Sequence, residues 1–436
     1  MTIQLNSNEL RGKLTTSTIS AGQSVDVAQA NLLFAEYVNR AQPELIISDI
    51  KINQTAVALN SISAMANLAI DNEITPVFLK IHIENGQVSS GNDEYKNSRI
   101  LADSGWPIVL PLYESDNQEY PLLVYRAFQK NERVLFDQIQ DSYEGDTASL
   151  NQILPKVDEF HNAAGKAQVS SLVVTDSVEA SRKAQLQIFF GRRLDVGSRA
   201  DQWFTSERSF KLPGLDNPIE WNELKRKNWV VNGEKYGVTL GDVLEIARAE
   251  LLFKNQTGRK SYLVSAHGDD HPGNIVSSFE DNSARVFDPA AAGLAPGSMA
   301  NAKALAHTGL LPMSGMYYDP KIQAQYQLKG NDISVEYGFA ATPVFKEHEA
   351  LARQIIDSRF IPVFKSMKAA GADIQSEFAT LKSALAMCAL LTVDTAKLLE
   401  QPQTHKGIML LPATLMFSQL SGLPSLDYLK QELAKI

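Results

Sequence analysis

The stretch Ala266-His267-Gly268-Asp269-Asp270-His271-Pro272-Gly273-Asn274, followed by Val286-Phe287-Asp288-Pro289, decides how this chain is read. A carboxylate, Asp269, stands five residues before an amide, Asn274, and a second carboxylate, Asp288, comes fourteen residues after the amide. Between them NIVSS and ARVFD flank the turn FEDN, a pattern that predicts a β-hairpin with Asn274 and Asp288 near the same end. Phosphoryl transfer calls for such groups. A carboxylate accepts the proton of a hydroxyl, and an amide with a second carboxylate holds magnesium on nucleotide phosphates. Any one of the three alone would pass for a turn former; the set at these separations does not.

Around this stretch the chain has the texture of a folded protein. Its 436 residues suffice for two or three domain-sized units, or two lobes sharing a cleft, and 44% are hydrophobic. A net charge of −9 argues against nucleic acid as the main partner, because a phosphate backbone wants a basic footprint. Cys388 is the single cysteine, so an internal disulfide and a cysteine zinc cluster are excluded; within SALAMCALL it reads as a small core residue. The N-terminal MTIQLNSNELRGKL lacks the pattern of a signal peptide. The longest apolar runs fall short of the ~20 residues of a membrane helix. A cytoplasmic protein with no membrane partner is expected.

Along the chain, residues 24–41 carry Val25, Ala28, Leu32 and Ala35 at helical spacing. From Glu44 the sequence turns β-branched, and TPVFLKIHI alternates, with Val77, Leu79, Ile81 and Ile83 on one face and Phe78, Lys80 and His82 on the other. A short helix is expected over Asn92–Leu101, then strands in IVLPLYE and YPLLVYRAF. The remainder reads as mostly helical. It includes Leu240–Phe253, with Thr239 and Asp242 as a capping box, a strand at YLVS before the opening stretch, and packed helices after about Pro343.

The order H-G-D, four residues, N, then an Asp beyond a hairpin resembles the catalytic loop and metal site of the aminoglycoside phosphotransferase family, the small-molecule branch of the protein-kinase-like fold. The resemblance covers the order of elements from Asn60 to about Gly293, and residues 266–293 carry its specific part. It implies an α+β, bilobal fold. An antiparallel-sheet nucleotide-binding lobe would span residues 1–125 with the leading helix at about 24–41. A mainly helical lobe, residues 126–436, would hold the catalytic loop, metal site and acceptor site. It further implies an ATP- and magnesium-dependent kinase acting on a hydroxyl of a small molecule. Asp269 would be the catalytic base, Asn274 and Asp288 the metal ligands. Lys80 would contact the nucleotide phosphates with Glu94 as its ion-pair partner. Ser61 and Ser63 would serve the nucleotide loop, and Val124 and Arg126 would belong to the adenine-binding hinge that runs to Phe128. His267 would brace the loop, and His271 would either pack within it or touch the acceptor. Asp270 would face either a cationic acceptor or water.

The chain departs from the family in three places. ALNSISAMANLAI, where the nucleotide loop is expected, has no glycine. Phe78 stands two before Lys80, where relatives carry a small residue. GLAPGSMANAKAL replaces a G-D-P-x-x-D passage that often borders the acceptor. The segment GRRLDVGSRADQWF, with Arg192, Arg193, Arg199, Asp201 and Trp203, reads either as a contributor to an anionic or sugar-like acceptor site or as a solvated helix face. Other chemistries fit worse. Aligning Asp270-His271 with a dinuclear metallohydrolase signature puts Ala266 and Gly268 where histidines belong, and neither a G-x-S-x-G elbow nor a Walker A lysine is present. Nucleotidyl transfer, use of GTP, and a catalytically inactive nucleotide-binding pseudokinase remain as alternatives.

Overall fold

A computed structural model describes residues 9–10, 12–13, 27–52, 61–71, 73–84, 87–88, 92–114, 119–280, 283–312, 324–338, 345–400 and 407–436, with backbone alone for 61, 82–84, 87–88, 92–93 and 147. The chain divides into two compact units. One comprises Met1–Arg99, Ile108–Glu132 and Asp288–Ala290, the other Ile100–Pro107, Arg133–Phe287 and Ala291–Ile436. The main division thus falls after Glu132, and each unit takes in a short segment from beyond it.

The smaller unit contains a six-stranded sheet, with the helix Val27–Ala41 packed against it. Strands β1 (Ile47–Ile52), β2 (Ser61–Ile70), β3 (Glu73–Glu84), β4 (Gln87–Val88), β5 (Tyr113–Glu114) and β6 (Leu123–Arg126) pair antiparallel in the order β1-β2-β3-β6-β5, with β4 on β3. Alternation along β3 works as the sequence implies: Val77, Leu79 and Ile81 are fully buried in the core of this unit. Phe78 and Lys80 point to the opposite face. The strands expected in IVLPLYE and YPLLVYRAF shrink to two and four residues. Pro107, Pro111 and Pro121 remove ladder donors at their margins. Helix α1 (Val27–Ala41) buries Ala30, Leu33, Phe34, Tyr37, Val38 and Ala41. This corrects the expected stripe: Leu32 is 66% exposed, and Val25 lies outside the described residues. Burying Phe34, Tyr37 and Leu33 removes more apolar surface from water than burying alanines would, so the larger side chains set the face.

The larger unit is mainly helical around one apolar core that includes Trp229, Phe210, Phe360, Phe364 and Phe417. Cys388 belongs to it, its thiol pushed up to about 12 by burial, which leaves it inert as a nucleophile. The capping box is present: Thr239 Oγ1 accepts from the Asp242 amide, and Asp242 accepts from the Thr239 amide, at the start of the helix Leu240–Leu251. Small sheets decorate the helices. Lys260–Ala266 lies between Val173–Asp176 and Gly293–Pro296, and Ile275–Ser278 pairs antiparallel with Ser283–Val286. A four-stranded sheet containing the hairpin Gln325–Lys329/Asp332–Glu336 stands in a region expected to be mostly helical.

One close approach fixes the helices near the Asp269 loop. The helix Thr147–Ser170 crosses a π-helical turn, Ile356–Phe360, that joins the helices Phe345–Ile355 and Ile361–Ala369. A Cβ at Gly165 would stand 1.8 Å from the Ser358 carbonyl oxygen, so no side chain fits there. Among the described residues, no helix is long and apolar enough to cross a membrane.

Candidate active site

In the smaller unit the central chain of contacts runs through Lys80. Strand β3 carries it on the face opposite the core, directly across from Ser63 on β2. Its ammonium donates to Glu94 Oε2 at 2.8 Å and to Asp288 Oδ1 at 2.6 Å. Glu94 sits on the helix Asn92–Asp103 and also accepts from the Tyr125 hydroxyl, 2.6 Å from its Oε1. Lys80 and Glu94 are both buried. Burial alone would lower the lysine pKa; the charges of Asp288 and Glu94 outweigh it and hold the ammonium well above its ordinary range. Burial and the Glu94 carboxylate push the Tyr125 phenol up, so it stays a donor.

Asp288 itself has φ 59°, the left-handed region that side chains other than glycine seldom adopt. Aspartate tolerates it better than most, yet the conformation costs on the order of 1 kcal/mol. Ser61 and Ser63 stand in strand β2 and not in a turn: Ser63 is buried opposite Lys80, and the glycine-free segment 53–60 before them lies outside the described residues. Val124 is fully buried in the sheet core and pairs with Leu79, whereas Arg126 is exposed at the end of β6. Phe78 is half-buried on the Lys80 face, between Met65 and Tyr125 on the neighbouring strands.

In the larger unit the loop after the strand Lys260–Ala266 is tied to itself. Gly268 takes φ 78°, and a Cβ there would meet the Ala291 carbonyl oxygen at 2.7 Å, so only glycine serves. His267 Nδ1 accepts from the Asp269 amide at 3.3 Å, which places its proton on Nε2, 2.9 Å from the Phe287 carbonyl oxygen. The Asp269 carbonyl accepts from the His271 amide and from Asn274 Nδ2, both at 2.9 Å. That last bond engages the amide nitrogen of Asn274 and so orients its oxygen, the atom a cation would take. The Phe287 amide donates to the Asn274 carbonyl at 2.9 Å, closing the hairpin, and Asp288 is the next residue in the chain.

The Asp269 carboxylate is ion-paired with Lys303, a residue that the reading of the sequence did not single out. Burial would raise this carboxyl; Lys303, then His271 and His307, more than offset it and hold it well below the usual carboxylate range. The signal for Lys303 was available, since it is the one charged residue between Pro289 and Ala306. Lys303 Nζ also lies 4.6 Å from the ring centre of Phe189. His271 packs within the loop, its Nδ1 accepting from the Gly273 amide at 3.0 Å and its ring 6.0 Å from that of His307. Asp270 faces neither an acceptor nor water. It is fully buried and ion-paired with the equally buried Arg359 of the π-helical turn, because a desolvated carboxylate needs a countercharge.

The segment GRRLDVGSRADQWF is not one solvated face. Arg192 is exposed, whereas Arg193 and Arg199 are half-buried. Asp195 pairs with Lys254 at 2.6 Å, and Asp201 pairs with Arg248. Among the described residues, no group of three His, Cys, Asp or Glu side chains gathers that could hold a metal by itself.

No protein-family model and no curated protein matches the chain. Among solved structures it is distantly similar to a spectinomycin phosphotransferase in complex with ADP and spectinomycin, at TM-score 0.39 and 10% identity, over 95% of this chain and 100% of that one. It is similar too to an ethanolamine kinase of Plasmodium vivax (TM-score 0.36, 10% identity, 100% and 95% covered) and to a choline kinase of Cryptosporidium parvum Iowa II (0.34, 10%, 93% and 95%).

Proposed function

We propose that this chain is an ATP- and magnesium-dependent phosphotransferase that acts on a hydroxyl group of a small molecule. The observation that carries the reading is the buried Lys80 ammonium held between Glu94 and Asp288. A lysine so placed stays charged and rigid, which suits it to phosphate oxygens, and Glu94 is in turn fixed by Tyr125. Asn274 and Asp288 fit magnesium. Both offer hard oxygen atoms, Asn274 is oriented through its nitrogen, and the Asp288 side chain is 40% exposed. Magnesium, when bound, would neutralise charge on the phosphates; it ordinarily takes only one or two protein carboxylates besides phosphate and water.

Asp269 is assigned the hydroxyl of the acceptor. Its carboxyl is held ionised by Lys303, which makes it a weak base. A weak base suits phosphoryl transfer. The bond from the γ-phosphorus to the leaving oxygen is largely broken before the new one forms, so the hydroxyl proton needs to move only late. Asp269 then orients the attacking oxygen first and receives its proton last.

A thermal-shift titration tests the nucleotide half of the reading. ATP with magnesium is expected to raise the melting temperature of the wild type, and Asp288→Ala to weaken that effect at least tenfold in ATP concentration. No shift with ATP under any magnesium concentration would remove ATP from the reading.

A further inference from the structure

Two guanidinium groups in the larger unit have no carboxylate partner among the described residues. Among the described residues Arg193, on the helix Gln185–Leu194, makes no ion pair or hydrogen bond; its Cζ lies 3.6 Å from the ring centre of Phe189. Arg199 donates to the Leu391 carbonyl at 3.0 Å and stacks on Trp203, with its Cζ 4.9 Å from the ring centre. The acids of their own segment are engaged elsewhere, as described above. The ring under Arg193 is also the ring under Lys303, whose ammonium binds Asp269. Arg193 and Lys303 are therefore no farther apart than about 8 Å, which is the screening length at physiological salt. Three cations and one carboxylate thus share a half-buried region. Burial and the nearby Arg199 charge push the Arg193 guanidinium down to about 9, a direction opposite to that of a satisfied arginine.

A cation set of this kind is incomplete without an anion. Asp269 supplies only part of it: its charge reaches Arg193, but its carboxylate is already ion-paired with Lys303, and one carboxylate does not balance three cations. A helix C-terminus favours basic residues in its last turn, which accounts for Arg192 and Arg193 being there, but it does not account for a half-buried Arg193 with no ion pair of its own among the described residues. A guanidinium presents a planar fork that matches a carboxylate or a phosphate with two parallel bonds.

We propose that Arg193, supported by Arg199, receives an anionic group of the acceptor, so that the molecule phosphorylated carries a carboxylate or phosphate as well as the hydroxyl presented to Asp269. The inference rests on the phosphotransferase reading for the word acceptor; the anion site itself stands on Arg193, Arg199, Phe189 and Lys303. It makes the substrate class acidic: hydroxy acids or phosphorylated alcohols, and not amino alcohols or neutral sugars.

The site is tested first without turnover. Sodium malonate, titrated against chloride at constant ionic strength, is the probe, and thermal stabilisation is the readout. Wild type and Arg192→Gln are expected to bind malonate alike. Arg193→Gln is expected to bind it at least tenfold more weakly, and Arg193→Lys, which keeps the charge, to fall between. Equal binding by wild type and Arg193→Gln, or no binding by wild type, would overturn the anion site. A second arm measures magnesium-dependent ATP consumption with glycerate and gluconate, with glycerol and glucose, and with ethanolamine and choline. Preference for the acids, with a KM for the acid raised in Arg193→Gln and the KM for ATP unchanged, supports the proposal. Preference for a neutral or cationic set, or a raised KM for ATP instead, overturns it. Malonate binding with no ATP consumption on any compound would count against the phosphotransferase reading and leave the anion site supported.

Discussion

At the scale of single residues, the chemistry assigned to this chain depends on how charges are paired. Lys80 has two carboxylates, and Asp269 has one ammonium; both are held in the charged form against burial. Asp269→Asn keeps the shape of the side chain but removes the proton acceptor and its pairing with Lys303. Turnover is expected to fall by roughly 10²- to 10⁴-fold, the usual contribution of a general base. Stabilisation by ATP and magnesium should persist, since neither Lys80 nor Asp288 changes. A coupled assay of ATP consumption beside the thermal-shift titration checks both halves. Unchanged turnover would take Asp269 out of its role. Lys303 marks the limit of motif spacing: it reaches Asp269 from another element, 34 residues along the chain, and only its being the lone charge in its stretch set it apart.

At the scale of elements, the Asp269 loop is anchored from behind by the π-helical turn Ile356–Phe360, through Arg359 and Asp270. Replacing Arg359 with Met would leave a fully buried carboxylate without a countercharge. Such a loss is expected to cost about 3–5 kcal/mol, and the double change Asp270→Asn with Arg359→Met should recover most of it. Urea denaturation midpoints of the three proteins decide this; a single Arg359→Met change as mild as a surface substitution would show that the pair matters little. Local patterns in the sequence made some elements readable: the alternation of β3, the Thr239/Asp242 capping box and the strands either side of FEDN all depend on near neighbours. Elements set by distant packing were not. The buried face of α1 follows Leu33, Phe34 and Tyr37 and not the expected stripe of Val25, Ala28, Leu32 and Ala35. The π-helical turns at Ala306–Leu310 and Ile356–Phe360 have no sequence signature, although they present His307 and Arg359. The hairpin Gln325–Glu336 did carry one, the pair Gly330-Asn331 between two short strands, and reading the region as helical passed over it.

At the scale of the whole molecule, burial of histidines makes stability depend on acidity. His161 and His348 are pushed down by burial to about 3 and about 4, and His307 falls well below its ordinary 6.5. Each stays neutral in the native state, while the unfolded chain takes up protons below about pH 6.5. The unfolded state binds more protons in that window, so stability falls as pH falls from about 6.5 to about 4, by up to about 1.4 kcal/mol per histidine per pH unit. The depressed Asp269 carboxyl acts in the same sense below its ordinary 3.8. All four tryptophans belong to the larger unit, as do these histidines, so tryptophan fluorescence in urea at about pH 7 and about pH 5 reads the effect directly. Equal midpoints at the two values would contradict it. The crossing at Gly165 has a bearing beyond stability. Because no side chain fits against the Ser358 carbonyl, drift at position 165 is blocked for as long as Arg359 must be delivered to Asp270. In diverged descendants of this chain, whose exposed surfaces are free to change, the trio Gly165, Asp270 and Arg359 should therefore outlast most other positions, and would serve as the mark of common descent.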